Sequence, residues 1–297
     1  MKITFLGTSS MIPTEDRNTT GILITYKSEN ILIDCGEGTQ RQLKKTKISP
    51  TKLTRLVITH WHGDHILGIP GLLETLSKQG YNKTLYIYGP TGTKKFIDAI
   101  YKTFISHNRI KIEIKEIEKD GQFLDDKDFS MSALKLEHTT TCYGYTFEEK
   151  DKRNINLEYT KKFGLTKHPL LGDLQKGKII TYKGQKITPE KATKLTFGKK
   201  ITILLDTKKT ANLAKFAENS DILIAESTLS NSLEKEANEY KHMTSKQAAE
   251  IAKAAKVKQL ILTHISQRYK DVEFLEKEAK KIFKKTVVAE DFSSFEL

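Results

Sequence analysis

The segment Thr59-His60-Trp61-His62-Gly63-Asp64-His65 gathers three imidazoles and a carboxylate within six positions, directly after the apolar run Leu56-Val57-Ile58. Imidazole nitrogen and carboxylate oxygen are the donors that borderline divalent metals prefer, so a chain with this string must fold to make those donors converge. Side chains two apart on an extended strand share a face, which points His60 and His62 together. The turn at Gly63 then swings Asp64 and His65 towards a second metal position.

Other strand-like runs end on the same residue types. Ser132-Ala133-Leu134-Lys135-Leu136-Glu137 leads into His138, Ile201-Thr202-Ile203-Leu204-Leu205 into Asp206, and Gln259-Leu260-Ile261-Leu262-Thr263 into His264. Ile31-Leu32-Ile33 leads into Asp34. Each lies at the carboxyl end of an apolar strand, so one rim of a layered protein could collect them all, although any one alone is ambiguous. In this order, with the H-x-H-x-D-H string, they resemble the metallo-β-lactamase superfamily over nearly the whole chain. The resemblance implies an α/β fold, the αβ/βα four-layer sandwich, where periodicity alone would give only a layered α/β protein. It also implies one Zn²⁺ on His60, His62 and His138 and a second on Asp64, His65 and His264. Asp206 would bridge the two, and Asp34 would support the site from behind.

At 297 residues the chain can bury one large core, so a single domain over 1–297 is expected. Its 37% hydrophobic content includes no apolar run long enough to span a bilayer, so no membrane partner is expected. Met1-Lys2-Ile3-Thr4-Phe5-Leu6-Gly7 reads as an opening strand and not as a signal peptide, which predicts a cytoplasmic protein. The two cysteines, Cys35 and Cys142, have no spacing for a disulfide framework or for metal, and read as small core residues.

Strands are predicted at 2–9, 21–27, 29–35, 55–60 and 85–89, with helices at 37–47, 65–80 and 91–104. A second series follows: strands at 111–117, 129–138, 143–148, 200–206, 222–226, 259–263 and 286–290, and helices near 208–218, 245–256 and 271–284. Thr244 or Ser245 is the expected N-cap of the helix at 245–256.

The stretch 150–200 falls outside this alternation and reads as long and irregular. It holds 14 Lys or Arg against 4 Asp or Glu, which is +10 of the chain's net +13. Charge concentrated in this way can neutralise phosphates and give sequence-independent affinity for nucleic acid. An inserted RNA-binding arm at about 150–198 is expected, with Lys152, Arg153, Lys161, Lys162, Lys167, Lys176 and Lys178 as candidate phosphate contacts.

Further motifs narrow the resemblance to one branch. Phe5-Leu6-Gly7-Thr8-Ser9-Ser10-Met11-Ile12-Pro13 with Arg17-Asn18, and Asp34-Cys35-Gly36-Glu37-Gly38-Thr39-Gln40, resemble tRNA 3′-processing endoribonucleases of the ribonuclease Z family. So do the Gly- and Pro-punctuated segment near 163–184, Ala225-Glu226-Ser227-Thr228 with His242, and Thr263-His264-Ile265-Ser266-Gln267-Arg268-Tyr269. The resemblance implies a hydrolase, a zinc-dependent endonuclease that acts on precursor tRNA. It would leave a 3′-hydroxyl on the tRNA and a 5′-phosphate on the trailer. Mn²⁺ or another divalent ion could serve instead of zinc, and a homodimer is implied in which one subunit's arm holds the tRNA that the other cuts. Asp64 would accept the nucleophile's proton, and His242, oriented by Glu226, would protonate the departing oxygen. The alternatives are a hydrolase of small phosphodiesters or thioesters on the same metal core, and a metal-stabilised RNA-binding protein without catalysis.

One motif departs from its relatives. Several carry a Pro-x-Lys-x-Arg-Asn loop, whereas this chain reads Pro13-Thr14-Glu15-Asp16-Arg17-Asn18. Two carboxylates beside the RNA path would leave Arg17 as the main cationic contact to the trailer. Trp61 is expected to pack at the metal loop, and His107 and His168 to be exposed.

Overall fold

Alternation along the first strands sorts side chains between two faces of a sheet. Leu23, from Gly21–Tyr26, joins Leu32, Leu56, Leu85 and Ile87 in a buried cluster with Leu43, Leu72, Leu73 and Leu76. Those last four belong to helices Thr39–Lys45 and Ile69–Lys78, which therefore cover one face of the sheet. In this computed structural model, which describes residues 1–104 and 109–297, the sheet has seven strands. Their order is Ser294–Glu296, Lys2–Gly7, Gly21–Tyr26, Glu29–Ile33, Arg55–Val57, Thr84–Pro90 and Lys111–Ile117. Pairing is antiparallel as far as Glu29–Ile33 and parallel beyond it.

A second seven-stranded sheet runs Thr286–Val288, Gln259–Thr263, Ile222–Glu226, Lys200–Leu204, Cys142–Glu149, Phe129–Leu136 and Gly121–Asp125. Ile222–Glu226 lies in its parallel part and is buried at every position, as expected where both faces are covered. Helices Ala211–Phe216, Ser245–Ala254 and Glu273–Lys280 pack outside it through Leu213, Ala248, Ala249, Ile251, Ala252 and Ala279. Thr244 caps Ser245–Ala254 in a full capping box with Gln247. The sheets meet through aromatic side chains: Tyr26 on Phe147 and Tyr88 on Phe123, with centroids 5.4 and 5.3 Å apart, while the Tyr145 hydroxyl donates to Ile58 O at 2.6 Å. The result is the helix, sheet, sheet, helix layering of the metallo-β-lactamase fold.

Several elements differ from the expected ones, among them strand Ser294–Glu296 and helix Glu234–Glu239, which the expected set lacks. The helix expected over 65–80 is two helices, Gly63–Ile66 and Ile69–Lys78. At their junction Gly68 passes so close to Gly36 that a Cβ would lie 2.0 Å from the Gly36 carbonyl oxygen. Strand Gly121–Asp125 is an addition to the expected set, since Gly-Gln-Phe-Leu-Asp has little of the β-branched character that marks strands.

The chain divides into two compact units: 1–124 with 131–147 and 200–297, and 125–130 with 148–199. The stretch expected to be irregular has its own structure. In the smaller unit Lys152–Ile155 pairs with Thr193–Thr196, and Ile180–Tyr182 pairs with Gln185–Ile187. The tight turn of the second pair has positive φ at both Lys183 (49°) and Gly184 (75°). Leu165, Leu174, Ile180, Ile187 and Ala192 form a buried cluster of this unit's own, with Ile155, Tyr159 and Phe163 packed on it.

Both cysteines are buried and free, and burial raises both thiols, Cys35 to about 12, which leaves them unreactive. Among the described residues no helix is long and apolar enough to cross a membrane.

Candidate metal centre

Strand ends deliver the polar residues. Arg55–Val57, Lys200–Leu204 and Gln259–Thr263 carry the chain to the His60 string, Asp206 and His264, while Glu29–Ile33 carries it to Asp34. Asp34, Asp206 and His264 all have left-handed backbone, with φ of 56°, 44° and 57°. Non-glycine residues adopt this conformation at a cost, so the surrounding bonds have to hold it.

Among the described residues the donors form three groups: His60, His62, His138 and Asp206 compose the first, Asp64, His65 and His264 the second, and Asp206, His242 and His264 a third that overlaps both. In the first, His60 Nε2 lies 3.0 Å from His62 Nδ1, which lies 3.2 Å from His138 Nε2. Asp206 Oδ2 is 3.7 Å from both His60 Nε2 and His138 Nε2. In the second, His65 Nε2 and His264 Nε2 are 3.3 Å apart, and Asp64 Oδ2 is 3.4 and 3.3 Å from them. Asp206 Oδ1 is 3.3 Å from His65 Nε2 and 3.2 Å from His264 Nε2. The two oxygens of one carboxylate thus face different groups.

A tetrahedral ion with bonds of about 2.0–2.1 Å holds its donors roughly 3.3 Å apart, the spacing found here. Asp206 Oδ1 is buried without a hydrogen-bond donor, a costly state that a cation would relieve. The residues present therefore fit divalent metal.

The nitrogens turned away from the cluster are pinned. His65 Nδ1 meets Asp34 Oδ2 at 2.7 Å, His60 Nδ1 meets Thr59 Oγ1 at 3.0 Å, His264 Nδ1 meets Thr228 Oγ1 at 3.0 Å, and His138 Nδ1 donates to Lys241 O at 3.2 Å. Asp34 in turn accepts from the Thr59 amide and hydroxyl, both at 2.7 Å. Such contacts fix ring orientation and tautomer. Thr59, Thr228 and Lys241 escape a reading of the sequence, because a threonine after a strand carries no signal that separates a brace from a core position.

Charge inside the cluster is strongly biased. Burial depresses the basicity of His60, and neighbouring His65 adds to this; burial also lowers His138. His65 is buried too, yet Asp206, Asp34 and Asp64 together raise it well above the ordinary imidazole range. Burial works against ionisation of Asp206 and Asp64, but the surrounding imidazoles prevail and lower both carboxyls.

His242, a member of the third donor group, is backed by Glu226. The His242 ring is 5.1 Å from that of His138 and 5.6 Å from that of His264. Met11, Asp64, His138, Asp206, Tyr240, His242, His264 and Arg268 are among the residues lining a cavity of about 440 Å³.

The remaining candidates lie elsewhere. Arg17 directs Nη1 inwards, to Thr8 Oγ1 and Ala289 O, both at 3.2 Å. In the smaller unit Lys161, Lys162, Lys167, Lys176 and Lys178 are exposed, while Lys152 and Arg153 are half-buried. Lys152 pairs with Glu149, and Arg153 Nη1 reaches Thr193 Oγ1 at 3.4 Å. Trp61 packs against Phe96, with its indole N–H 3.2 Å from Thr93 Oγ1. His168 is exposed, and His107 lies outside the described residues.

The family model described as Anti-Pycsar protein Apyc1 matches residues 1–288. Ribonuclease Z of Enterococcus faecalis is 40% identical, the match covering 100% of this chain and 97% of that protein. The crystal structure of the short form of human tRNase Z superposes with a TM-score of 0.74 at 26% identity, covering 100% of this chain and 99% of the other. The metallo-β-lactamase fold protein YhfI from Bacillus subtilis has a TM-score of 0.71 at 22% identity, covering 99% and 98%, a likeness of fold.

Proposed function

The chain belongs to the ribonuclease Z family, and also to the family described by the anti-Pycsar protein Apyc1, and from the first we propose that it removes the 3′ trailer from precursor tRNA. The cut leaves a 3′-hydroxyl on the tRNA and a 5′-phosphate on the trailer. The observation that carries the reading is the Asp206 carboxylate, which offers one oxygen to each of two donor groups. On this reading His60, His62 and His138 would hold one Zn²⁺ and Asp64, His65 and His264 another, with Asp206 available to both. Two adjacent divalent ions, zinc or a substitute such as manganese, supply a water of lowered pKa and neutralise phosphate charge.

The side chains do the rest. His242, held by Glu226, gives a proton to the departing 3′-oxygen. The Asp64 carboxylate, which accepts from the Met11 amide at 2.8 Å, directs its lone pairs at the nucleophile's proton. Asp34 keeps His65 in the orientation that presents Nε2. The larger unit carries the donors and is the catalytic domain, with 150–198 as its inserted arm. That arm's exposed lysines take the tRNA phosphates. The protein works in the cytoplasm as a homodimer in which one subunit's arm serves its partner's site.

The cavity volume also suits a second reading, hydrolysis of small phosphodiesters or thioesters on the same centre. Cleavage of an end-labelled precursor tRNA, with both product ends mapped, decides between them. A 3′-hydroxyl at the trailer junction is expected; turnover of small diesters with the precursor left intact would favour the second reading.

A further inference from the structure

The cavity has an outer wall that proton transfer and metal binding leave unused. Helix Glu234–Glu239 ends there with Lys241 in left-handed backbone, φ 57°. The Lys241 amide donates to Asn238 O at 3.3 Å and the His242 amide to Ala237 O at 2.7 Å, the paired bonds that close a helix C-terminus. The turn that places His242 beside Glu226 therefore also fixes Tyr240, two residues earlier, at the cavity wall. The Tyr240 side chain is 57% exposed, and its hydroxyl makes no hydrogen bond among the described residues.

Its neighbours add to the wall. One helical turn before Tyr240, Glu236 accepts from Arg268 Nη2 at 2.7 Å, and Glu236, Tyr240 and Arg268 all line the cavity. Met11, 63% exposed, lines it from the first loop. Met11 has φ 62°, where a side chain is strained and glycine is not, and its amide is held by Asp64 Oδ2. Single exposed apolar side chains are ordinary. Two that are held by backbone bonds, with a guanidinium on the same wall, beside a phosphate-cleaving centre, are not. An aromatic face with a cation is the arrangement that takes a nucleobase and its adjoining phosphate.

We infer that Tyr240 and Met11 form a nucleobase subsite, seating a base that flanks the scissile phosphate while Arg268 holds the next phosphate along. The inference rests on the polynucleotide substrate proposed above. Stacking tolerates any base, so the subsite sets the position of the strand and not its sequence.

The test compares natural precursor tRNA with precursors made abasic on the 5′ or the 3′ side of the cleavage point. Tyr240→Ala should lower kcat/KM on the natural precursor about ten-fold, and Tyr240→Trp should restore it. On one of the abasic precursors, the one without the stacked base, Tyr240→Ala should cost no more than about two-fold further, since ring and base form a single interaction. Equal losses on all three precursors, from a variant with wild-type metal content and melting temperature, would overturn the subsite. Failure of the wild-type protein to cut the natural precursor is a different result: it defeats the trailer-cleaving reading and the subsite falls with it.

Discussion

The fully buried Glu226 carboxylate lies 3.0 Å from Nδ1 of His242. It also accepts from the Thr207 amide at 2.5 Å and the Thr228 hydroxyl at 2.6 Å, so one acid ties the residue after Asp206 to the imidazole. Burial alone would lower the basicity of His242, but the charge and hydrogen bond of Glu226 outweigh it and raise the pKa to about 9. The imidazole is then protonated at neutral pH, as a proton donor must be.

Glu226→Gln should accordingly move the alkaline limb of the kcat profile to lower pH, towards the ordinary histidine range. Bound cations pull the wild-type limb below about 9, but the direction of the shift stands. The linked stability has a fixed sign. Because the folded pKa is raised, protonated His242 contributes stability that is complete below the unfolded histidine pKa and is lost as pH rises through about 9. A pH–rate profile of Glu226→Gln with its alkaline limb unmoved would remove His242 as the proton donor.

Asp206 should be the most sensitive metal residue. Asp206→Ala removes both carboxylate oxygens, one beside His60 and His138 and the other beside His65 and His264, so activity on precursor tRNA and on a small aryl phosphodiester should both vanish, with bound metal falling below the two ions expected in wild type. His62→Ala removes one donor from one group and should also abolish both activities. Elemental analysis with paired assays checks this; full activity of either metal-replete variant on both substrates would eliminate the dinuclear scheme.

The donors of this centre are legible in the sequence because the His60–His65 string follows an apolar strand and His138, Asp206 and His264 each follow another, where a change from hydrophobic run to His or Asp stands out. Their backbone conformation is not. Nothing around Asp34, Asp206 or His264 signals a left-handed residue, since the usual marker, glycine, is absent. The braces Thr59 and Thr228 look like any strand-end threonine. The smaller unit hides its structure for another reason: its strands and helices are three to six residues long, too short for a period to emerge. Its buried cluster is drawn from Leu165, Leu174, Ile180, Ile187 and Ala192, scattered among lysines. Charge is readable there, and fold is not.

The lysines of that unit should govern salt dependence. Neutralising Lys161, Lys162 and Lys167, all exposed, should weaken precursor binding and reduce the slope of log K against log salt by roughly 0.7–0.9 for each phosphate that is no longer neutralised. Deleting residues from about 152 to 195 should do so more strongly, while small-diester hydrolysis persists because no metal donor lies in that stretch. Binding titrations across a salt series measure it, and an unchanged slope in the deletion would rule out the arm as the part that binds tRNA.

Arg17 has a role that its loop sequence and its bonds describe differently. The Pro13–Asn18 pattern suggests a cation facing the trailer, yet Nη1 points inwards to Thr8 Oγ1 and Ala289 O. Burial lowers the Arg17 pKa, and Asp291, Glu290 and Asp16 oppose it by favouring the charged form. Asp291 itself holds Thr8 Oγ1, the Asn18 amide and Gln42 Nε2 at 2.8–2.9 Å, so the arginine completes a network joining the first loop to the C-terminal segment. Arg17→Ala should therefore destabilise the fold by about 1–3 kcal/mol, the usual cost of losing hydrogen bonds from a charged group. The same loop carries the Met11 amide that holds Asp64, so precursor and small-diester activities should fall together. Thermal unfolding with both assays separates the roles: a loss confined to the precursor, at unchanged melting temperature, would place the guanidinium on the RNA.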